Sequence, residues 1–180
     1  MRLFTAIEFP EEIKALLCSD TEKIKKRFEY GRFVKEDTYH LTLVFLGETE
    51  AKRVKDIAAA MDRCAFPQME MSAGALGCFR RDGGDVIWRR VDAPKDIFAL
   101  QKTLEKELSE GGFKLESRRF TPHLTLARDA KLLEGETLPL ISKELSEIRF
   151  TADKMTLFRS DIINGRRVYT PLHRTRLKNA

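Results

Sequence analysis

The chain has 180 residues and a net charge of +5, with 42% hydrophobic and 34% charged residues. This composition is ordinary for a globular protein, and the length is sufficient to bury a core without disulfides or metals. No apolar run approaches the roughly 18 residues that span a bilayer, and Glu8 and Pro10 interrupt the N-terminus too early for a signal peptide. The three cysteines form no Cys-x-x-Cys pair, which argues against a disulfide framework and a structural zinc site. We therefore expect a cytoplasmic protein without a membrane segment.

The first half of the chain alternates strands with helices. Short apolar runs indicate strands, and apolar residues spaced three and four apart indicate helices. Proline is favoured in the first turn of a helix, and glycine is favoured after the last turn. The predicted elements are a strand at 3–9, a helix that opens at Pro10 and ends at Gly31, a strand at 39–46 and a helix at 50–64.

The second half is richer in strands. Alternating apolar residues and glycine-containing turns indicate hairpins on either side of one long helix. Together with the first half, this order predicts an α+β fold in which helices flank mostly antiparallel sheets. The predicted elements are strands at 69–79 and 86–91 around a turn at 81–85, a helix from Pro94 to Gly111, a segment compatible with a strand at 113–117, a strand at 123–128, a polar stretch with room for a short helix at 130–146, and strands at 147–158 and 167–172 around a turn at Asn164-Gly165.

One tetrapeptide occurs twice. His40-Leu41-Thr42-Leu43 is repeated, residue for residue, from His123, which lies 83 positions later and so near half the chain length. Identical segments at this spacing predict one domain, residues 1–180, formed by duplication, with two lobes related by a pseudo-twofold axis. Alternate residues of a strand share a face. The leucines would therefore pack on a core, while His and Thr from both lobes would line a central cleft.

Two histidines and two threonines around one cleft suit phosphoryl transfer. Imidazole titrates near pH 6.5, so one ring can accept a proton from water while the other donates one to the leaving oxygen. The hydroxyls of Thr42 and Thr125 can donate to non-bridging phosphate oxygens, where charge develops. This scheme requires no metal and no cofactor, and two histidines alone make a poor metal site. The chain also has no glycine-rich phosphate loop that would predict ATP use.

A third segment, His173-Arg174-Thr175-Arg176, matches the pattern only loosely. It lacks the apolar alternate residues and has no symmetric copy, so we interpret His173 as a structural or rim residue. Paired arginines recur in the second half, and several of them in one groove would form a track for a phosphate backbone. These pairs are Arg80-Arg81, Arg89-Arg90, Arg118-Arg119, Arg166-Arg167 and Arg174 with Arg176.

The paired motifs resemble those of the two-histidine (2H) phosphoesterases, and more narrowly those of the RNA 2′,3′-cyclic phosphodiesterases, also named 2′-5′ RNA ligases. The resemblance extends along nearly the whole chain and is most specific around the second motif. Where the family commonly has Trp before the first motif, this chain has Phe33-Val34, so the stacking or packing role there would fall to Phe. The segments that carry the resemblance are 2–7 with Pro10-Glu11, 39–47, 120–128, 157–160 and 169–172.

The resemblance implies a bilobal α+β fold with both motifs in the central cleft. It implies hydrolysis of a 2′,3′-cyclic phosphate at an RNA end to a 2′-phosphomonoester. It also implies that His40 is the proton donor to the 3′ oxygen and that His123 is the proton acceptor that activates water, roles which the identical motifs do not distinguish. Some members join RNA ends through a 2′-5′ bond, with a 5′-hydroxyl replacing water, and we expect this reaction here as a secondary activity.

Three further residues are candidates for substrate binding. Arg128 lies five positions after His123, so strict alternation would put it on the opposite face, and it reaches the phosphate only if the strand bends or ends first. Phe79 and Arg80 precede a glycine turn and could stack on a base and hold a backbone phosphate. Their alternative interpretation is a core Phe and a surface Arg.

Other functions remain open from the sequence. The same two histidines could serve a phosphodiesterase for small cyclic-phosphate metabolites, which would gain little from longer RNA. A non-catalytic nucleotide- or RNA-binding module would keep its binding after His40→Ala, and a purely structural duplication would lose only stability. We expect partners to be RNA with 2′,3′-cyclic phosphate ends or cyclic nucleotides, and the protein to be a monomer.

Overall fold

The protein, described here as a computed structural model over residues 1–116 and 119–178, folds into two antiparallel sheets with helices on their outer faces. The first sheet has the strand order β3-β1-β8-β9, and the second has the order β2-β6-β5-β4-β7. The strands are β1 (Arg2–Glu8), β2 (Phe28–Phe33), β3 (His40–Glu48), β4 (Met69–Phe79), β5 (Asp85–Asp92), β6 (His123–Leu132), β7 (Ile148–Ala152), β8 (Lys154–Ile163) and β9 (Arg166–Arg176). The helices are α1 (Glu11–Lys25), α2 (Val54–Arg63), α3 (Lys95–Glu110) and α4 (Leu138–Ser142).

The two copies of the repeated motif open one strand in each sheet. His40 begins β3 at the edge of the first sheet, and His123 begins β6 inside the second sheet. The motif leucines lie in the buried core, which contains residues of both sheets. The predicted α+β fold with two antiparallel sheets and a central cleft is therefore confirmed.

The longer helices pack against the sheets and against each other. Helix α1 packs against β2 and β7 of the second sheet, while α2 packs against β8 and β9 of the first sheet and against α3. Most of their regularly spaced apolar residues are buried, as the sequence predicts, but Leu16 of α1 is 49% exposed. No helix in the described part of the chain is both long and apolar enough to cross a membrane.

One predicted helix is shorter than expected. The segment predicted as helical from Pro10 to Gly31 ends at Lys25, and Phe28–Phe33 forms strand β2. Phe28 continues the apolar spacing of α1, but its segment pairs with β6 instead. Gly31 lies close to this neighbour, because a Cβ built on it would be 3.1 Å from the Cβ of Ala130. Pairing across the sheet thus outweighs the local helical pattern.

The C-terminal region also differs from its prediction. The single strand expected at 147–158 is two strands in different sheets, β7 and β8, separated only by Asp153. Apolar residues alternate on both sides of the break, and only the polar pair Asp153-Lys154, where the alternation changes phase, marks its position. Residues 113–116 form no strand, and residue 117 of that prediction lies outside the described residues. The short helix expected within 130–146 is α4, and the turn at Asn164-Gly165 is confirmed, with positive φ at both positions.

Candidate active site

Both motif histidines are held by the same backbone contact. The Nδ1 atom of His40 lies 2.7 Å from the carbonyl oxygen of Thr38, and that of His123 lies 2.6 Å from the carbonyl oxygen of Thr121. A carbonyl oxygen only accepts hydrogen bonds, so each Nδ1 must carry the proton. The Nε2 atom of each neutral ring is then left with its lone pair, as a proton acceptor requires.

Each imidazole is also fixed by aromatic rings. The ring of His40 lies 4.8 Å from that of Phe4 and 5.0 Å from that of Tyr169, measured between centroids. The ring of His123 contacts Phe79 edge-on at 5.1 Å and Trp88 at 5.9 Å. These aromatic contacts stabilise the orientation of both imidazoles.

Trp88 reaches His123 because Gly77 makes room for it. A Cβ built on Gly77, which pairs with Trp88 across β4 and β5, would lie 2.3 Å from the indole ring. A side chain at this position would therefore displace the indole. Glycine at position 77 thus helps to set the position of His123.

The environment makes both imidazoles weak bases. The pKa of His40 is lowered to about 4, mainly by burial and further by the charges of Arg128 and His123, although its contact with the Thr38 carbonyl opposes this shift. Burial and the charge of Arg128 also lower the pKa of His123, against the effect of the Thr121 carbonyl. Both rings are therefore neutral at pH 7 in the free protein.

A β-bulge in each motif strand brings the residue five positions after the histidine onto the same face of the strand as the histidine. In β3 the pairing with β1 passes from Thr42 to Val44, and in β6 the pairing with β5 passes from Thr125 to Ala127. Each strand thus has two consecutive buried residues, after which the alternation is inverted. The residue five positions after each histidine, Phe45 or Arg128, returns to the side of the cleft.

The cleft between the sheets has a volume of about 530 Å³ and contains both motifs. Thr42 contributes a hydroxyl 3.0 Å from Nε2 of His40, and Thr125 lines the same space. The side chain of Arg128 makes no ion pair or hydrogen bond with the described residues, so its charge is available to an anion. The remaining polar and aromatic lining includes Arg2, Phe4, Phe45, Phe79, Arg81, Arg167 and Tyr169.

The structure brings most, but not all, of the site residues predicted from the sequence together. His40, Thr42, His123, Thr125, Arg128 and Phe79 come together in the cleft, whereas Arg80 does not line it and pairs with Asp85. Arg81 takes the place on the cleft expected for Arg80, because β4 ends at Phe79 and the chain turns there. Strict alternation would put Arg128 on the face opposite His123, but the bulge in β6 inverts the alternation. The bend that a phosphate-binding role of Arg128 requires is therefore present.

His173 has a partner of its own, as a structural or rim histidine would. Its Nε2 lies 2.8 Å from the carboxylate of Asp62 on α2, and the Thr175 hydroxyl donates to the same carboxylate at 2.5 Å. Of the other arginine pairs, Arg89 is buried, Arg90 pairs with Asp92 and Arg174 pairs with Glu8, while Arg118 lies outside the described residues. The arginines of these pairs that line the cleft or the two pockets beside it are Arg81, Arg119, Arg166 and Arg167.

Phe45 and Tyr169 line the cleft, although the sequence did not indicate them as site residues. Both occur in apolar segments that the resemblance already included, where they were not distinguished from core positions. Aligning the two repeats would have identified Phe45, because it occupies the position that Arg128 occupies in the second copy. No cluster of three or more His, Cys, Asp or Glu that could hold a metal ion occurs within 1–116 and 119–178.

Comparison with known proteins identifies the family that this chain is similar to. The sequence model of the 2′-5′ RNA ligase superfamily matches residues 9–162. The chain is 31% identical over 166 residues to an RNA 2′,3′-cyclic phosphodiesterase of Thermotoga maritima, covering 87% of this chain and 88% of that protein. It is 32% identical over 174 residues to one of Escherichia coli K12, covering 96% and 94%.

Solved structures give the same result. The crystal structure of E. coli LigT complexed with 3′-AMP superposes with a TM-score of 0.81 at 30% identity, covering 99% of this chain and 98% of that one. The structure of TT0787 from Thermus thermophilus also has a TM-score of 0.81, at 26% identity, with 99% of both chains covered. The fold and the site define a phosphoesterase with two histidine motifs in one cleft. The chain belongs to the 2′-5′ RNA ligase superfamily.

Proposed function

We propose that this protein hydrolyses RNA 2′,3′-cyclic phosphate ends to 2′-phosphomonoesters, with His40 and His123 as a metal-independent acid–base pair. The observation that carries this proposal is the pair of imidazoles held alike, with Nδ1 on a carbonyl and Nε2 on the side of one cleft. The names of the curated relatives support the choice of substrate, since several are RNA 2′,3′-cyclic phosphodiesterases.

The reaction is an in-line displacement at phosphorus. The Nε2 atom of His123 takes a proton from water, and the water oxygen forms a bond to phosphorus. The bond from phosphorus to the 3′ oxygen breaks, and the protonated Nε2 of His40 gives its proton to that oxygen. The phosphate stays on the 2′ oxygen, and the two histidines exchange protonation states before the next cycle.

The protonated state of His40 arises with the substrate. A pKa of about 4 leaves its ring neutral at pH 7 in the free protein. The cyclic phosphate carries a negative charge, and an opposite charge next to the ring favours the imidazolium and raises its pKa. Substrate binding would therefore be coupled to proton uptake by His40.

The remaining cleft residues stabilise charge and hold the substrate. The hydroxyls of Thr42 and Thr125 donate to non-bridging oxygens, where the transition state gains charge. The guanidinium of Arg128 has no competing carboxylate among the described residues and can make two parallel hydrogen bonds to the phosphate. Phe79, partly exposed beside His123, offers a ring for stacking on a base.

The same site would catalyse ligation with a different nucleophile. The 5′-hydroxyl of a second RNA would replace water and give its proton to His123, and its oxygen would form a bond to phosphorus. The bond from phosphorus to the 3′ oxygen would break, with His40 protonating that oxygen, which leaves a 2′-5′ bond between the two RNAs. Hydrolysis dominates because water is far more concentrated than RNA ends. We further propose that the protein acts as a monomer in the cytoplasm, where its three free cysteines would stay reduced.

The proposal is tested by the product. A short RNA with a 2′,3′-cyclic phosphate end is incubated with the protein in the presence of EDTA, and the phosphate left on the RNA is identified. We expect a 2′-phosphate as the product, formed at the same rate with and without EDTA.

Each alternative gives a different result in the same assay. A 3′-phosphate would contradict the assigned bond cleavage. Binding of the RNA without product would favour the non-catalytic module. Rapid hydrolysis of a small cyclic-phosphate metabolite, with slow hydrolysis of the RNA, would favour the metabolite phosphodiesterase.

A further inference from the structure

The cleft continues past His40 into a smaller pocket whose walls are strongly basic. This cationic pocket, of about 230 Å³, shares His40, Thr125, Arg128, Arg167 and Tyr169 with the catalytic cleft. Beyond these, it reaches β2 and the hairpin between β8 and β9. Its basic side chains are Arg32, Lys35, Arg128, Arg166 and Arg167, and its lining includes no acidic residue among the described part of the chain.

The opposite side of the cleft has a different character. A pocket of about 350 Å³ borders His123 instead of His40, and its lining combines three phenylalanine rings with charges of both signs. The two histidines thus lie at the entrances to chemically different spaces. One space suits a polyanion, and the other suits an uncharged, partly apolar group. The rings are those of Phe45, Phe79 and Phe120, and the charged residues are Arg81, Glu105, Glu116 and Arg119.

Several charges in the cationic pocket are not neutralised by the protein. The side chains of Lys35 and Arg166 make no ion pair or hydrogen bond with the described residues, and Arg167 donates only to the Ser160 hydroxyl. Arg32 alone has a carboxylate partner, Asp129. Like charges brought together without a counter-ion repel each other, and an anion bound between them would remove this repulsion.

The positive charges of the cationic pocket also act on Arg128 in the catalytic cleft. Burial lowers the pKa of the Arg128 guanidinium, and the charges of Arg167, Arg81 and Arg32 lower it further. One cyclic phosphate would satisfy Arg128 at the centre of the site. The basic side chains on β2 and the β8–β9 hairpin are left for a second anionic group.

The direction of the reaction indicates which anionic group this is. In the proposed function, on which this inference rests, the 3′ oxygen leaves towards His40 and water attacks from the side of His123. The ribose carries the 3′ oxygen, so the ribose lies on the side of His40. The C5′ atom of the same ribose then lies on that side as well, next to the cationic pocket.

We propose that the pocket formed by Arg32, Lys35, Arg166 and Arg167 binds the phosphate attached to C5′ of the terminal ribose. The protein would then recognise two phosphates on one nucleotide, the cyclic one at the histidines and the 5′ one in the cationic pocket. A phosphate at C5′ is provided equally by the backbone of an RNA chain and by a free 5′-phosphorylated nucleotide. A nucleoside 2′,3′-cyclic phosphate without it would be a poor substrate.

The test compares three substrates that share one reacting group. They are adenosine 2′,3′-cyclic phosphate, the same compound with a 5′-phosphate, and the dinucleotide ApA with a 2′,3′-cyclic phosphate end. We expect kcat/KM to be about 10-fold or more higher for both compounds that carry a phosphate at C5′, the size expected of one charge-assisted contact. A gain with the 5′-phosphate and none with the dinucleotide would restrict the pocket to terminal phosphates.

Substitutions in the cationic pocket test whether its basic residues cause the preference for a 5′-phosphate. Lys35→Ala/Arg166→Ala removes two basic residues of the pocket that do not line the catalytic cleft, and we expect it to remove most of the preference for the 5′-phosphate. Lys106→Ala/Arg149→Ala changes the net charge equally at exposed positions elsewhere and should keep the preference. An equal loss in both variants would overturn the pocket assignment.

The rates of the parent protein on the three substrates distinguish a failure of this inference from a failure of the proposed function on which it rests. Equal kcat/KM for all three substrates would overturn the inference and leave the proposed function standing. Hydrolysis of none of them would overturn both.

Discussion

The three histidines of this chain show what makes an imidazole available for catalysis. All three precede a threonine by two positions, yet only His40 and His123 place Nδ1 against a backbone carbonyl and Nε2 towards the cleft. In His173 the Nε2 atom is engaged by the carboxylate of Asp62, whereas the partner of Nε2 in His40 is the hydroxyl of Thr42 in its own motif. The sequence could predict this difference because the repeated copies have apolar alternate residues, which put the motif strand over a core. It could not predict the aromatic neighbours, since these come from other strands.

The lowered pKa of His40 predicts a difference between two pH–rate profiles. His40 must be protonated to act as the acid, so the rate falls as the pH rises through its pKa. In kcat/KM this limb reports the free protein, where the pKa is about 4, whereas in kcat it reports the substrate complex, where the phosphate charge raises it. We therefore expect the alkaline limb of kcat to lie at a higher pH than that of kcat/KM.

The same profiles test the role of His123. It must be neutral to accept a proton, so the rate of the parent protein should fall as the pH drops through its pKa. The residual activity of His123→Asn should lack this acid limb. Coincident alkaline limbs in kcat and kcat/KM of the parent would contradict proton uptake on binding.

At the level of strands, two bulges decide which side chains meet. Binary alternation predicts the faces of His40, Thr42, His123 and Thr125 correctly, but it fails two residues after each threonine because each strand gains an unpaired residue. No local signal in the sequence marks the bulge, since Leu, Val and Ala fit either face. Arg128 therefore reaches the cleft against strict alternation.

A buried ion pair joins α1 to the second sheet. The guanidinium of Arg89 on β5, 2% exposed, lies 3.0 Å from the carboxylate of Asp20 and donates to the carbonyl oxygens of Ala73, Gly74 and Ser146. Every polar atom of this group thus has a partner, which makes its burial tolerable. The sequence did not distinguish Arg89 from its exposed neighbour Arg90.

These adjacent arginines provide a matched pair of variants. Removing one partner of a buried ion pair costs about 3–5 kcal/mol, so Arg89→Ala should lower the free energy of unfolding by about that amount. Arg90→Ala removes an exposed ion pair with Asp92, which contributes about 0–1 kcal/mol. Urea unfolding of both variants measures the difference. Equal stability of the two would contradict a structural role for the Asp20 pair.

At the scale of the whole molecule, the two sheets convert a repeat in the sequence into one site. The α+β class and the meeting of the two motifs were predictable, because a repeat at half the chain length indicates two similar strands facing each other. That the chain forms one domain and one monomer stays a prediction. The contrast between the basic side near His40 and the aromatic side near His123 was not predictable, because it depends on which loops and strand ends surround the cleft.

The most direct test of the account compares single replacements of the three histidines. Single-turnover rates are measured on an RNA with a 2′,3′-cyclic phosphate end, with folding of each variant checked by circular dichroism. We expect His40→Ala and His123→Ala each to slow the reaction by about 10²–10⁴-fold, as loss of one proton transfer does, and His173→Ala to leave the rate unchanged. A rate that survives in a folded His40→Ala or His123→Ala variant, or falls equally in His173→Ala, would contradict catalysis by the two motif histidines.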